Sequence, residues 1–328
     1  MKTTALLVTA KDQVELVEAV VPEPGPGEVL IEALYTAISP GTELRCLAGQ
    51  QVRLGFPFIP GYSMVGRIAR GAAGVALGEG DLVFCLGTEK ADRPLGWGAH
   101  LGHAVRRAAG VFPLPAGMDP IAATLAKLAA IAYRGVRVAR TLPHDQVAVV
   151  GLGPIGQLAA RLHGITGARV VAADTRPDRV ELARAAGIEA VVPQNGLVAA
   201  FGDLQPGGAD VVVDSTGAPP VLSQSVQLAK RKPWDDSLTE PTRLVVQGSY
   251  AADVAFDYHE AFYRELVVHF PRDHGTQDLH TALRLIARGR LQTRDLVSRV
   301  CAPQEAPGVY AALRAAQAGL LTAVFAWK

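Results

Sequence analysis

A glycine-rich segment, Gly151-Leu152-Gly153-Pro154-Ile155-Gly156, constrains the fold of this 328-residue chain more than any other feature. It follows an apolar run over residues 147–150, which predicts a parallel strand buried on both faces, and it precedes a predicted helix. The first glycine would permit a tight turn, the second would admit a phosphate close to the backbone, and the third would let the helix pack on the strand. The segment predicts a dinucleotide-binding βαβ unit, with the pyrophosphate at the helix N-terminus. The alternative is a turn that merely needs glycines.

Alternating strands and helices are predicted around this segment. The predicted strands cover residues 169–174, 191–192, 210–214 and 243–247, and the predicted helices cover 156–167, 177–186, 279–287 and 307–318. This rhythm indicates an α/β fold with a doubly wound parallel sheet of the Rossmann type. Before it, short strands punctuated by Gly and Pro indicate a β-rich part, followed by one helix over 120–137. We expect the apolar residues 320–327 to pack on this first part.

Asp174 ends the strand that follows the glycine-rich segment. A carboxylate at this position accepts hydrogen bonds from the adenosine ribose hydroxyls and repels a 2′-phosphate, so NAD(H) is favoured. Thr175, Arg176 and Arg179 are further candidate cofactor-binding residues, and the two arginines keep NADP(H) as an alternative. The other interpretation, which we favour, is that the arginines are solvated residues at the start of a helix.

The overall composition excludes several other classes of protein. A formal net charge of +1 argues against nucleic acid or an anionic membrane as the main partner. The chain has 3 cysteines, an odd number, and they are too scattered for a disulfide framework. We therefore expect a cytoplasmic enzyme with a small-molecule substrate.

Several motifs occur in the order typical of one family. They are Pro24-Gly25-Pro26-Gly27-Glu28-Val29, Pro60-Gly61-Tyr62-Ser63-Met64-Val65-Gly66, the glycine-rich segment, Asp214-Ser215-Thr216-Gly217 and Gly248. With them, the chain resembles the medium-chain dehydrogenase/reductase superfamily, to which the alcohol dehydrogenases belong. The resemblance implies a GroES-like β-barrel catalytic domain over 1–127, completed by 272–328, and a Rossmann domain over 128–271. It adds Ser215, Thr216, Gly217 and Gly248 to the cofactor-binding residues, and it implies a homodimer.

The family's function is a reversible hydride transfer. Within the family, residues 37–43 and 265–273 are similar to the hydroxyethyl bacteriochlorophyllide dehydrogenase branch. We expect oxidation of a secondary alcohol to a ketone with NAD(H), on a bulky or polyhydroxylated substrate such as a sugar, a cyclitol, a tetrapyrrole side chain or an antibiotic intermediate. One alternative is an NADPH-dependent quinone or enoyl reductase, against which Asp174 counts. Another is a non-catalytic nucleotide-sensing protein, since binding and turnover need different residues.

The zinc ligands of the family's alcohol dehydrogenases are missing at the matching positions. Ser39 replaces the first cysteine, Tyr62-Ser63 replaces a His-Glu pair, and the third ligand position falls at Ala126 or Lys127. Hydroxyls and an amine are poor zinc ligands. We therefore expect no zinc. His100 and His103 lack further ligands nearby and are expected to be surface or loop histidines.

Without zinc, another group must polarise the substrate oxygen and exchange its proton. The hypothesis is that Tyr62 is the acid/base, Lys127 its electrostatic partner and Ser39 an orienting donor, because a nearby ammonium favours the ionised phenol. Alternatively, Tyr62 only fills the space of the metal, and Lys127 pairs with Glu43 or points to solvent. Glu43 is a fourth candidate catalytic residue; its alternative is a carboxylate paired at the domain interface.

Overall fold

The computed structural model describes residues 1–50, 54–71, 74–234, 240–251 and 253–328. The chain divides into two units: Met1–Lys127 together with Leu283–Lys328, and Leu128–Ala282. No helix within these described ranges is long and apolar enough to cross a membrane. The limits predicted from the sequence for the two functional domains stay a prediction.

The first unit begins with strands and short helices. The strands are β1 (Lys2–Ala10), β2 (Gln13–Val20), β3 (Glu28–Ala37), β4 (Met64–Arg70), β5 (Leu82–Cys85), β6 (His103–Arg107) and β7 (Val111–Pro113). The helices are α1 (Pro40–Leu47) and α2 (Pro120–Ala123), with a 3₁₀ turn at Ala108–Gly110, and α3 (Ala126–Ala139) follows. β1 and β2 form an antiparallel pair, and β3 lies inside a larger sheet where it pairs with β4 and β6.

The single helix predicted over 120–137 is wrong in one respect, because the structure has two helices there. The first ends at the cap residue Thr124, and the second begins at Ala126. The Thr124 carbonyl accepts a hydrogen bond from the Ser63 hydroxyl, and the Thr124 hydroxyl donates to the Ile121 carbonyl. The Ser63 side chain, from outside the helix, therefore binds the carbonyl group at the break, and the second helix begins one residue before Lys127.

The second unit alternates strands and helices. In chain order they are β8 (Gln146–Val150), α4 (Pro154–Ile165), β9 (Arg169–Ala173), α5 (Pro177–Ala185), β10 (Glu189–Val191), α6 (Leu197–Leu204), β11 (Val211–Asp214), α7 (Pro219–Val226), β12 (Arg243–Val246), α8 (Tyr258–Phe262) and β13 (Val267–His269). The strands form one parallel sheet in the order β10-β9-β8-β11-β12-β13. The order reverses at β8, which is where a doubly wound sheet opens a crevice at the carboxyl ends of its strands.

The end of the chain returns to the first unit. Its elements are α9 (Thr276–Ala287), β14 (Arg299–Cys301), α10 (Ala306–Arg314) and β15 (Ala323–Ala326), with 3₁₀ turns at Arg294–Leu296 and Pro303–Glu305. β15 pairs antiparallel with β3, with Val324 opposite Ala37, and β14 pairs with β15. The sheet therefore has the order β14-β15-β3-β4-β5-β7, with β6 also on β3. The apolar tail is a structural strand of the first unit.

Each unit has its own apolar core. In the first unit, Ile31, Met64 and Val83 are among the side chains buried between the strands. In the second, Val212 and Leu222 are fully buried between the parallel sheet and its helices. Burial of each such side chain contributes about 1.5–3 kcal/mol, and the rigid sheets hold the loops described next.

Candidate active site

The glycine-rich segment forms a tight loop between β8 and α4. Gly151 has a φ of +86°, and a Cβ at Gly156 would lie 1.7 Å from the Gly151 carbonyl oxygen, so neither position tolerates a side chain. A Cβ at Gly153 would meet no heavy atom within 4 Å. Pro154 is the first residue of α4, where no backbone N–H is required. The loop leaves open space above Gly153 at a helix N-terminus, which fits a dinucleotide pyrophosphate.

Asp174, directly after β9, is buried and faces this loop. Its carboxylate accepts hydrogen bonds from the Leu152 N–H at 2.7 Å and from the Arg176 N–H at 2.9 Å. The carboxylate is thus held in a fixed orientation by two backbone donors, one of them in the glycine-rich loop. A carboxylate placed in this way suits recognition of ribose hydroxyls.

The polar residues after Asp174 form a local charge cluster. Arg176 binds Asp178 through Nε–Oδ1 at 3.0 Å and Nη2–Oδ2 at 2.6 Å. This hydrogen-bonded ion pair raises the pKa of Arg176. The Arg179 guanidinium lies 3.4 Å from the Asp174 carboxylate. Thr175 is exposed. Both arginines lie at the start of α5 with partly exposed side chains, and each is engaged with a carboxylate.

The loop after β11 lies beside the glycine-rich loop. A Cβ at Gly151 would lie 2.9 Å from the Thr216 side chain, and one at Gly248 would lie 2.4 Å from the Gly217 backbone N. Thr216 donates to the Asp214 carboxylate through its N–H at 3.0 Å and its hydroxyl at 2.9 Å. The close backbone approach explains why glycine occupies 217 and 248.

Ser215 carries a buried hydroxyl oxygen next to this loop. Within the described part of the chain the atom has no hydrogen-bond partner. A buried polar atom without a partner costs about 1–3 kcal/mol, so its position beside the loop fits a hydroxyl that a bound dinucleotide would satisfy.

In the first unit, the structure brings three of the predicted catalytic residues together. The Tyr62 hydroxyl donates a hydrogen bond to Ser39 Oγ and lies 3.4 Å from Thr42 Oγ1. The Lys127 Nζ lies 5.6 Å from the centroid of the Tyr62 ring. Lys127 is only 6% exposed, so the alternative in which it points to solvent is wrong. Trp97 packs edge-on against the Tyr62 ring with centroids 5.6 Å apart.

Glu43 lies in α1 and is fully buried. Its Oε1 accepts from the Ser39 N–H at 2.7 Å, and its Oε2 lies 3.0 Å from His100 Nε2 and 2.5 Å from the Tyr310 hydroxyl. Burial and the adjacent carboxylate raise the pKa of Tyr310 well above its ordinary value, so this phenol stays a donor. Glu43 fixes the first turn of α1, to which Ser39 belongs.

His100 lies in the loop between β5 and β6, but it is not a surface histidine. Its side chain is fully buried, and its Nδ1 lies 2.8 Å from Thr36 Oγ1. Thr36 Oγ1 accepts a hydrogen bond from the Trp327 indole N–H at 2.9 Å. The His100 ring therefore lies between Thr36 on one side and the Glu43 carboxylate on the other.

Among the described residues, the cysteines and histidines do not assemble a metal site. In the ranges that the structure describes, no three His, Cys, Asp or Glu side chains are grouped to hold a metal ion. All three cysteines are buried, and burial raises the pKa of Cys46 to about 12, so this sulfur stays a thiol. At the positions that the resemblance gives for the zinc ligands, the side chains are those of Ser39, of Tyr62 and Ser63, and of Ala126 or Lys127. They offer only hydroxyls and an amine, a set that does not fit zinc.

Sequence reasoning missed Asp178 and Tyr310, and it missed the contact of His100 with Glu43. Asp178 follows Arg176 by two residues in the first turn of a predicted helix, and that spacing could have indicated the ion pair. Tyr310 and His100 reach Glu43 from distant parts of the chain. No local pattern in the sequence marks them.

Comparison with known proteins agrees with this architecture. The Alcohol dehydrogenase GroES-like domain matches residues 25–116, and the Zinc-binding dehydrogenase family matches residues 154–232. A 2-dehydro-3-deoxy-L-galactonate 5-dehydrogenase from Pseudoalteromonas atlantica is 27% identical over 306 residues, covering 84% of this chain and 85% of that protein. A 2-desacetyl-2-hydroxyethyl bacteriochlorophyllide A dehydrogenase from Cereibacter sphaeroides is 26% identical, covering 95% and 94%.

Solved structures show the same fold. An Escherichia coli alcohol dehydrogenase complexed with NADH superposes with a TM-score of 0.85 at 18% identity and 99% coverage of both chains. A Sinorhizobium meliloti protein described as a zinc-binding dehydrogenase and bound to NADP superposes with a TM-score of 0.85 at 22% identity, also with 99% coverage of both. The predicted combination of a GroES-like domain and a Rossmann sheet is confirmed.

Proposed function

This chain belongs to the medium-chain dehydrogenase/reductase superfamily, and we propose that it interconverts a secondary alcohol and a ketone with NAD(H) and without zinc. In the oxidative direction the substrate carbon loses a hydride, the hydroxyl loses a proton, and a carbonyl forms. The bound nicotinamide supplies the acceptor for the hydride. The chain itself must bind the dinucleotide and handle the proton.

The observation that carries the proposal is the hydrogen bond from Tyr62 to Ser39 next to the buried Lys127 ammonium. A phenol can give its proton to a substrate oxygen or take one from it, and a nearby ammonium stabilises the phenolate left behind. Ser39 orients the hydroxyl, and Glu43 holds Ser39 through its backbone N–H. Tyr62 would act as the acid/base, and Glu43 as a positioning residue.

The preference for NAD(H) rests on Asp174. Its carboxylate lies beside the glycine-rich loop and is oriented by the Leu152 and Arg176 N–H groups. A carboxylate here accepts from ribose hydroxyls and repels a 2′-phosphate. Gly151, Gly153, Pro154, Ile155 and Gly156 would hold the pyrophosphate, while Ser215, Thr216, Gly217 and Gly248 would line the nicotinamide side.

The substrate class is inferred from the relatives. One similar protein is named for oxidation of a deoxy sugar acid and another for oxidation of a hydroxyethyl group on a tetrapyrrole. Both groups are secondary alcohols, one on a polyhydroxylated sugar acid and the other on the side chain of a bulky tetrapyrrole. We propose a bulky or polyhydroxylated secondary alcohol for this chain, with sugar acids tested first.

The proposed role of Tyr62 predicts a large loss of activity in Tyr62→Phe. Removal of an acid/base group should lower kcat about 100-fold or more, with unchanged cofactor binding and melting temperature. The measurement is NADH formation with a panel of sugar acids and other secondary alcohols. Tyr35→Phe is the matched control, since it removes a phenol hydroxyl from β3 in the same unit. Full activity in Tyr62→Phe would leave Tyr62 a packing residue.

The metal content of the purified enzyme tests the zinc-free mechanism against zinc catalysis. Mass spectrometry of the purified enzyme should find no stoichiometric zinc, and a chelator should leave the activity unchanged. One zinc per chain together with chelator-sensitive activity would refute the zinc-free mechanism.

A further inference from the structure

The charge cluster after β9 balances two arginines against two carboxylates. Arg176 is held by Asp178, and Arg179 lies against Asp174. The formal charges of the four side chains add up to zero. A phosphate monoester carries a charge of about −1.5 to −2 near neutral pH, so it would find no excess positive charge here.

Of the two arginines, Arg176 is the one tied to a carboxylate other than Asp174. Its guanidinium binds Asp178 through two nitrogens, at 3.0 and 2.6 Å, and its side chain is 19% exposed. Its own backbone N–H binds the Asp174 carboxylate, so the start of its side chain is adjacent to the group that reads the ribose. An arginine close to this acidic position is the residue that accommodates a 2′-phosphate in NADP-dependent Rossmann domains.

We propose that Asp178 is a second determinant of cofactor choice, which excludes NADP(H) by occupying the guanidinium of Arg176. Asp174 acts directly on the ribose, whereas Asp178 removes the cation that a 2′-phosphate would need. This inference rests on the proposed nicotinamide cofactor and extends it to a residue outside the glycine-rich segment. The double hydrogen bond matters because it fills the Nε–Nη2 edge of the guanidinium and balances its charge, so a second anion meets neither that edge nor an uncompensated cation.

The test is the affinity for NADH and NADPH, measured by nucleotide fluorescence without any substrate. In Asp178→Asn the affinity for NADPH should rise about tenfold, the equivalent of one charged hydrogen bond, while the affinity for NADH changes less than about twofold. Asp178→Ser, which keeps an oxygen acceptor in the first turn of α5, should behave in the same way. It covers the case in which the asparagine variant folds poorly.

Two further variants isolate the cause. Glu181→Gln removes the same charge from α5, where Glu181 pairs with Arg184 at 2.7 Å, and should leave the NADPH affinity unchanged. Arg176→Ala combined with Asp178→Asn should abolish the gain. An equal gain in Glu181→Gln, a gain that survives the loss of Arg176, or no gain in either Asp178 variant would overturn the inference. Weak NADH binding by the wild-type enzyme would instead refute the proposed cofactor, so the two failures are distinguishable.

Discussion

His163 is a single histidine buried in a core, and its burial makes the stability of the fold depend on pH. It lies in α4, is fully buried, and has its Nδ1 2.8 Å from the Thr141 hydroxyl. Its Nε2 has no hydrogen-bond partner among the described residues. Burial, with a smaller effect of the Arg243 charge, lowers the pKa of His163 to about 3.

The stability of the second unit should therefore fall in acid. The pKa of His163 is about 3 in the folded chain and 6.5 for a hydrated histidine. The stabilisation of the fold by neutral His163 is therefore complete above pH 6.5, and it is lost as the pH falls towards 3 because the unfolded chain takes up the proton first. At pH 5 the loss is about 2 kcal/mol. Glutamine does not titrate, so the His163→Gln variant should not show this loss. The difference in the free energy of unfolding between wild type and His163→Gln should therefore be about 2 kcal/mol smaller at pH 5 than at pH 7, measured by urea unfolding.

The exposed His144 supplies the control for this experiment. His144→Gln should leave the pH dependence of unfolding as in wild type, because an exposed imidazole is hydrated in both states. The same pH dependence in His163→Gln as in wild type would contradict the assignment.

Among the secondary-structure elements, α1 is positioned by the buried carboxylate of Glu43. Pro40 starts the helix, and the hydroxyl of its cap residue Ser39 is not used for capping because it accepts from Tyr62. Glu43 reaches back to the Ser39 N–H instead and also binds His100 and Tyr310. The position of the helix, and with it that of Ser39, depends on this carboxylate.

Glu43→Gln should destabilise the enzyme by about 2–4 kcal/mol, because an amide N–H would face the donors of His100 and Tyr310. Its kcat should fall more than its affinity for NADH. Tyr310→Phe removes one of the opposing donors, so the double variant should be more stable than the sum of the single changes predicts. Thermal unfolding of the four proteins gives the coupling, and purely additive effects would contradict the network.

The elements also show what could be predicted from the sequence. Strands β8 to β12 and helices α4 and α5 lie within a few residues of their predicted positions, because apolar runs, prolines at helix starts and glycines at turns act locally. Helices α6, α7 and α8 were not among the predicted elements. The break at Thr124 could not be predicted, since it depends on the Ser63 hydroxyl, which comes from another part of the chain.

At the scale of the whole molecule, β13 forms an exposed edge of the parallel sheet, and this edge is where we expect two subunits to meet. β13 pairs with β12 on one side, and Val267 and the following Phe270 are 40% and 61% exposed. An exposed apolar edge strand is a surface that another chain can extend. We predict a homodimer through this edge, with a mass in solution of twice 34.4 kDa by light scattering.

Val267→Glu should convert the dimer to a monomer. The new carboxylate would oppose Arg243 on β12, so the strand pairing inside the subunit should survive. Val198→Glu changes a valine of equal exposure, 41%, on α6 and should leave the dimer intact. A monomeric wild-type protein, or a dimeric Val267→Glu variant, would contradict the prediction.

Local patterns along the chain were enough to define the Rossmann unit and its cofactor loop. Gly151, Gly156 and Asp174 have roles defined by turn geometry and strand ends, which extend over a few neighbouring residues. The Arg176–Asp178 ion pair is also a local feature, since the two residues lie two positions apart.

In the first unit, the meeting of Tyr62 with Ser39 was expected only from the family resemblance. The contacts of Glu43 with His100 and Tyr310 are known only from the folded chain. Tyr62 reaches Ser39 across 23 residues, His100 reaches Glu43 across 57, and Tyr310 reaches Glu43 across 267. Such contacts depend on strand pairing, above all that of β15 with β3, which closes the sheet with residues from both ends of the chain. Local propensities act over single turns, whereas a buried carboxylate needs donors, and only the completed sheet determines which ones reach it.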